Sequence, residues 1–357
     1  MTAAETITTP LDQRLLDATT GALELFGVYL GDRLGLYDHL RDRGPVTAAE
    51  LADATGIAPR YALEWLEQQA VAGMLAVDDV SAEAEARRFA LPEAHVGVLA
   101  DPIALDHVAP FARMIVGIAG ALDDVVTAYQ TGAGVPYTRY GADFRDGQGA
   151  INRPAFGSAL VEEWLPALGP VAERLTAGGR LADLGCGQGW STLAAARAYP
   201  SAEVWGIDSD PASIDDARAA AEAQGLRVRF ECAEATALAA AGPFDVVLLL
   251  EALHDMSRPV EVLSAARAAL TADGALLVAE EAVSPSFTAP GDELERMMYG
   301  WSITHCLPAA MAEQPSSAIG TAIRETTVRE LAGQAGFGEV KVLDVDGGFF
   351  RLYALRA

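Results

Sequence analysis

Apolar positions recur at spacings of three and four through the first part of the chain, then give way to short runs that alternate with amphipathic stretches. Leu23, Phe26, Leu30, Leu34 and Tyr37 mark one buried face of a predicted helix. Gly27, Gly31 and Gly35 lie four apart on another face, where small residues admit a second helix, either within the domain or from a second copy. Thr47 precedes Glu50 by three residues, a capping box that starts a short helix through Leu51, Ala52 and Ala54 and stops at Gly56. After Ala58-Pro59 a further helix runs to about Gly73 and buries Leu63, Leu66 and Ala70. Residues 74–77 and 88–91, separated by an acidic turn, read as two short strands.

A helix, a helix–turn–helix and two strands make a winged-helix pattern, which invites a DNA-binding role. Charge decides against it. Between Pro45 and Ala90 eight acidic residues face three basic ones. The would-be recognition helix offers Glu64 and Glu67 where phosphate contacts need Lys or Arg. An oligomerisation or pocket-forming role fits better. Residues 101–165 read as a helical connector, interrupted over 131–154 by a loop rich in Gly, Tyr and Pro. Its aromatics Tyr137, Tyr140 and Phe144, with Phe156 beyond, suggest an ordered cover over a pocket.

From Gly179 the pattern becomes strand and helix in alternation. Strands are predicted at 180–184, 203–207, 227–232, 244–250 and 275–279, with helices at 192–199, 212–224 and 259–270. Such alternation indicates βαβ units and a parallel sheet. A last helix (327–335) leads to strands 339–345 and 349–355, joined through Asp346-Gly347-Gly348 as an antiparallel hairpin. The fold expected is α/β with an α-rich N-terminal part.

Composition narrows the function. The 357 residues are 51% hydrophobic and 21% charged, which supplies ample core. The formal net charge of −25 speaks against nucleic acid and against an anionic membrane as partners. Cys186, Cys232 and Cys306 are too scattered for a disulfide framework, and no ligand spacing suggests a metal. The first ten residues lack a basic stretch followed by an apolar one, and no apolar run reaches membrane-spanning length, so a cytoplasmic protein is expected.

The chemistry concentrates at strand ends. Gly185, Gly187 and Gly189 form a GxGxG turn after the first predicted strand of the α/β part, letting a ligand lie against bare backbone. A dinucleotide loop reads GxGxxG, and its third glycine falls here on Trp190, which disfavours NAD or FAD. Asp183, two residues before the first glycine, can pair with a cationic amino group. Asp208 ends the second strand, where a carboxylate accepts from both hydroxyls of a ribose. Ala233 and Glu234, after the third strand, are placed to flank an adenine ring. Glu251, after the fourth, falls near the same ligand. Tyr140, in the 131–154 segment, is a candidate lid over it.

This set resembles the class I S-adenosylmethionine-dependent methyltransferases, through Asp183-Leu-Gly-Cys-Gly-Gln-Gly189, Asp208 and the C-terminal hairpin. The resemblance covers about residues 165–357. It implies a Rossmann-like seven-stranded sheet, S-adenosylmethionine as cofactor and S-adenosylhomocysteine as product. With the winged helix in front, the chain is similar to the plant and antibiotic O-methyltransferase type, which dimerises through that domain. It also resembles actinobacterial winged-helix relatives, through residues 140–148, Asn152-Arg-Pro154 and Ala252-Leu-His-Asp-Met256. The implied organisation is a winged-helix domain for dimerisation and substrate (1–110), a helical connector and lid (111–165) and a cofactor domain (166–357). The implied reaction is O-methylation of a small secondary metabolite.

His254 is the candidate base, followed by Asp255. A hydroxyl must lose its proton as it attacks, and an imidazole can take it. Relatives of the plant type carry His-Asp-Trp after this strand, whereas Met256 stands third here, and no acid in the sequence identifies itself as the partner that orients the ring. Met298, Trp301 and His305 are candidate acceptor-pocket residues. C- or N-methylation, another reaction in the same pocket, and a non-catalytic ligand-sensing regulator remain the alternatives.

Overall fold

The computed structural model describes residues 10–357. The expectation drawn from the first ten residues falls largely on residues 1–9, outside the described residues. The chain divides into two units: residues up to Ala119 together with Ala142–Pro154, and Gly120–Gly141 together with Ala155–Ala357. No helix among the described residues is long and apolar enough to cross a membrane.

In the first unit, α1 (Leu11–Arg33) and α2 (Leu36–Arg43) meet at Gly35, whose φ of +67° suits glycine. Helix α3 (Ala48–Thr55) starts with the expected capping box: Thr47 Oγ1 accepts from the Glu50 N–H, and Glu50 Oε2 accepts from the Thr47 N–H at 2.8 Å. Helix α4 (Pro59–Val71) follows, then β1 (Ala76–Val77) paired antiparallel with β2 (Phe89–Ala90), and α5 (Glu93–Ala100). Tyr37, Leu51, Leu66 and Phe89 are core residues of this winged-helix unit.

Helix α1 corrects the sequence reading. Leu23, Phe26, Leu30 and Leu34 are exposed, Leu23 by 63%. The buried face is instead that of Gly27, Val28 and Gly31. A Cβ at Gly31 would overlap the Tyr37 and Trp65 rings, and one at Gly27 would meet the Gln68 and Gln69 side chains. Trp65 Nε1–H donates to the Gly27 carbonyl at 2.9 Å. The glycines therefore serve intradomain packing: bulky α4 side chains need backbone to lie against, which turns the apolar stripe outward.

Residues 131–154, expected as a loop, are a second correction. After α6 (Phe111–Thr131), a 3₁₀ turn at Tyr137–Tyr140 leads into α7 (Gly141–Gly157), which holds Pro154 inside it. A Cβ at Gly147 would come within 2.9 Å of the Met114 side chain and the Pro110 carbonyl, so it is a close-packing residue. Tertiary contact overrides local propensity here.

In the second unit, α8 (Pro170–Thr176) precedes the sheet. Its parallel part is β3 (Arg180–Leu184), α9 (Trp190–Ala198), β4 (Glu203–Asp208), α10 (Pro211–Ala223), β5 (Arg229–Cys232), β6 (Phe244–Leu250), α11 (Pro259–Ala269) and β7 (Leu270–Glu281). Helices α12 (Glu293–Trp301), α13 (Leu307–Ala310) and α14 (Glu325–Gln334) lead to β8 (Glu339–Val342) and β9 (Phe350–Arg356), which pair antiparallel. The seven-stranded order is β5-β4-β3-β6-β7-β9-β8, with β9 antiparallel to β7. The hairpin and the Rossmann-like sheet are as expected. Apolar clusters cover both faces, so β6 is nearly all buried and reads as one continuous apolar run. The chain enters at β3, runs outward to β5 and returns to β6. The order thus reverses between β3 and β6, where the strand ends open a crevice.

Candidate active site

The glycine turn sits at that crevice. Gly185, Gly187 and Gly189 have φ of +67°, +51° and +79°, a region that L side chains rarely adopt. The turn is tied to β4: the Gly185 N–H donates to the Ile207 carbonyl at 2.8 Å, and the Gly187 N–H to Asp208 Oδ2 at 2.8 Å. A Cβ at Gly189 would strike Phe230 and Ala217, and one at Gly185 would strike Ala252. At Gly187 nothing lies within 4 Å. Two glycines therefore admit close packing beneath the turn, and the middle one keeps a cradle open above it.

Asp208 holds the turn with one carboxylate oxygen and accepts the Asp210 N–H with the other, at 2.8 Å. Burial raises its pKa against those backbone N–H groups. The Ala233 N–H donates to the Asp208 carbonyl at 2.9 Å, so the ends of β4 and β5 meet, with Glu234 exposed beside them. Asp183 is buried. Ser191 Oγ and Thr192 Oγ1 both donate to its Oδ2 at 2.6 Å, which anchors the first turn of α9. Burial pushes its pKa up to about 6, the two hydroxyls opposing.

After β6 the backbone is strained. Glu251 has φ +51° without being glycine, and its N–H donates to the Ala279 carbonyl at 2.8 Å. Such a conformation costs about 1–2 kcal/mol, and it turns the chain so that the short helical turn Leu253–Asp255 lies over the end of β7.

His254 is 2% exposed. Its Nδ1 lies 2.5 Å from Glu280 Oε2, and the other oxygen of Glu280 accepts the Leu253 N–H at 2.8 Å. Glu280, the orienting acid that the sequence did not identify, thus fixes both the ring and the turn that carries it. Glu281 Oε2 is 3.5 Å from Nδ1, and Asp255 Oδ1 is 3.4 Å from Nε2. Burial alone would lower the His254 pKa. The negative field of Glu281, Glu280 and Asp255 outweighs it and raises the pKa well above the ordinary value. Burial raises Asp255 and, strongly, Glu281 towards their protonated forms. The only sequence sign of this cluster is Glu280-Glu281 ending the buried apolar run of β7, unremarkable until β7 is seen beside β6.

Tyr140 donates to the Thr304 carbonyl at 3.0 Å, and its ring meets that of His305 edge-on at 4.4 Å. His305 is buried, with Nδ1 3.5 Å from Cys306 Sγ. Burial and the charge of His254 pull its pKa down to about 3, so it is a neutral imidazole. Burial, with Asp255 adding to it, pushes the Cys306 thiol up to about 12. Met298 is buried and Trp301 half-buried on α12.

Residues 181–274 match the family described as a methyltransferase domain, and residues 21–101 match the Rv2258c-like winged HTH domain. Among curated proteins, the ubiquinone biosynthesis O-methyltransferase of a Caulobacter species is 36% identical over 102 residues, 28% of this chain. That of Stutzerimonas stutzeri is 38% identical over 91 residues, 25% of this chain. The matches span only 40% and 38% of those relatives' own lengths. Solved structures align over nearly the whole chain. Human N-acetylserotonin methyltransferase in complex with SAM superposes with a TM-score of 0.64 at 18% identity, covering 98% of this chain and 99% of that one. An O-methyltransferase family protein from Burkholderia thailandensis gives 0.63 at 20%, with 98% of each chain covered. The chain therefore carries a methyltransferase domain that follows a winged helix-turn-helix domain.

Proposed function

We propose that this protein transfers a methyl group from S-adenosylmethionine to a hydroxyl of a small-molecule acceptor. The observation that carries the proposal is the glycine turn pinned to Asp208 with open space over Gly187, at the point where the strand order reverses. The residues present suit that cofactor. Asp208 keeps lone pairs for two ribose hydroxyls, Ala233 and Glu234 adjoin it for the adenine, and the Gly187 cradle admits a nucleoside against main chain. Asp183 lies under the turn, where its charge attracts an amino group, and the strained Glu251 aims backbone at the amino-acid part. When bound, the cofactor supplies an electrophilic methyl on a sulfonium.

Catalysis then rests chiefly on holding the acceptor in line with that methyl. In its neutral form His254 takes the acceptor's proton, and Glu280 sets the ring's orientation by accepting from Nδ1, so that Nε2 is the working nitrogen. Because the surrounding carboxylates raise the ring's pKa, turnover is expected to rise with pH. Met298, Trp301 and His305, with Tyr140 packed on His305, form the acceptor side. The acceptor is a hydroxylated, secondary-metabolite-like small molecule. The protein works as a homodimer in the cytoplasm, where its three unbridged thiols are at home.

Isothermal calorimetry tests the cofactor assignment. Wild type is expected to bind S-adenosylmethionine and S-adenosylhomocysteine, and Asp208→Ala to bind both at least about 10-fold more weakly, as loss of hydrogen bonds to a charged group of about 1.5–3 kcal/mol implies. Equal affinity in the variant would remove the ribose assignment, and mass analysis of products identifies the methylated atom.

A further inference from the structure

We propose that His254, Asp255 and Cys306 form a binding site for one divalent cation of the zinc class. One ligand atom from each lies within 4.8 Å of the other two. Around a tetrahedral zinc such atoms stand roughly 3.3–3.8 Å apart, given bonds of about 2.0–2.3 Å, so small side-chain shifts close the site. A second triad, His254 with Glu280 and Glu281, is equally compact. The contact at 2.5 Å decides between them, because it engages Nδ1 with Glu280 and makes Nε2 the nitrogen left for a metal, whose binding displaces the Nε2 proton.

Nε2 faces a buried acceptor. Asp255 Oδ1 is 3.4 Å from Nε2 and has no hydrogen-bond partner. A metal held at Nε2 would give that buried oxygen the partner it lacks. The donors are an imidazole, a carboxylate and a thiol, a set that favours zinc or cobalt over magnesium or calcium. The surroundings also fit. Glu280 behind His254 is the outer carboxylate that metal-bound histidines commonly have, and His305 Nδ1 lies 3.5 Å from the Cys306 sulfur, within reach to steady it as a thiolate. On binding, the Cys306 thiol proton leaves to solvent and sulfur takes the metal. Three protein ligands leave a fourth position open.

The cation would occupy the same Nε2 that accepts the acceptor's proton, so loading and turnover exclude one another. That consequence rests on the proposed role of His254, whereas the binding does not.

The test is titration of reduced, full-length protein with Co²⁺ alone, followed by absorbance. One equivalent is expected to give a thiolate-to-cobalt charge-transfer band and tetrahedral visible bands, both abolished by Zn²⁺. Cys306→Ser is expected to lose the charge-transfer band, while Cys232→Ser, at the exposed thiol, keeps it. Asp255→Asn is expected to weaken cobalt binding at least 10-fold and keep the band at saturation, with circular dichroism reporting the fold of each variant. Absence of the band in folded wild type, its survival in Cys306→Ser, or unchanged affinity in folded Asp255→Asn would each overturn the proposal. If methyl transfer is absent while the cobalt signature is present, the activity proposal fails and this one stands.

Discussion

At the scale of single residues, the site stores unfavourable electrostatics. Asp183 is the clearest case, since its carboxyl titrates at about 6 inside the fold and near 3.9 in an unfolded chain. The folded state therefore holds the proton more tightly. Its advantage is full below pH ~4 and is lost as pH rises through about 6. Asp183→Asn keeps an acceptor for Ser191 and Thr192 without the charge. We expect it to raise stability at pH 7 by roughly 1–3 kcal/mol, about two pKa units at 1.36 kcal/mol each less some hydrogen-bond loss, and to flatten the pH dependence between 4 and 6. Urea denaturation at pH 5 and pH 7 measures both, and parallel profiles for the two proteins would show that the buried charge carries no penalty. The same variant is expected to bind S-adenosylmethionine more weakly, a stability gain set against function.

At the scale of elements, the strand ends and the turns after them divide the work. The turn after β3 is a cradle because two of its glycines pack and one does not. Gly187→Ala puts a methyl into the open side of the turn and asks an L residue to adopt φ +51°. A destabilisation of about 1–2 kcal/mol is expected from the backbone, with loss of at least 10-fold in cofactor affinity and retention of the fold. Thermal denaturation and calorimetry on the same sample separate the two, and full affinity in the variant would place the nucleoside elsewhere. At the end of β7, Glu280 shows what an element alone conceals. In sequence it closes an apolar run. Only the parallel pairing of β6 with β7 brings it to His254, 26 residues away.

At the scale of the whole molecule, α1 leaves Leu23, Phe26, Leu30 and Leu34 in solvent while its glycines face inward. A contiguous apolar stripe on an exposed surface marks an interface, and a second copy is the partner we infer. Phe26→Asp with Leu30→Asp is expected to convert a dimer to monomer in sedimentation velocity without lowering the thermal midpoint of the cofactor domain. An unchanged dimer would assign another surface.

The sequence by itself determined the winged-helix and α/β patterns, the glycine turn, the acids at the ends of β3 and β4, and the candidate base. Each is written in local periodicity or in a short run that one turn of backbone must satisfy. Only the tertiary structure decided which face of α1 is buried, that residues 141–157 are helical in spite of their glycines and proline, and that three acids and a thiol surround His254. Those outcomes depend on partners far along the chain. A glycine is a breaker until a side chain packs against it, and a carboxylate is a solvated strand end until a neighbouring strand sets an imidazole beside it.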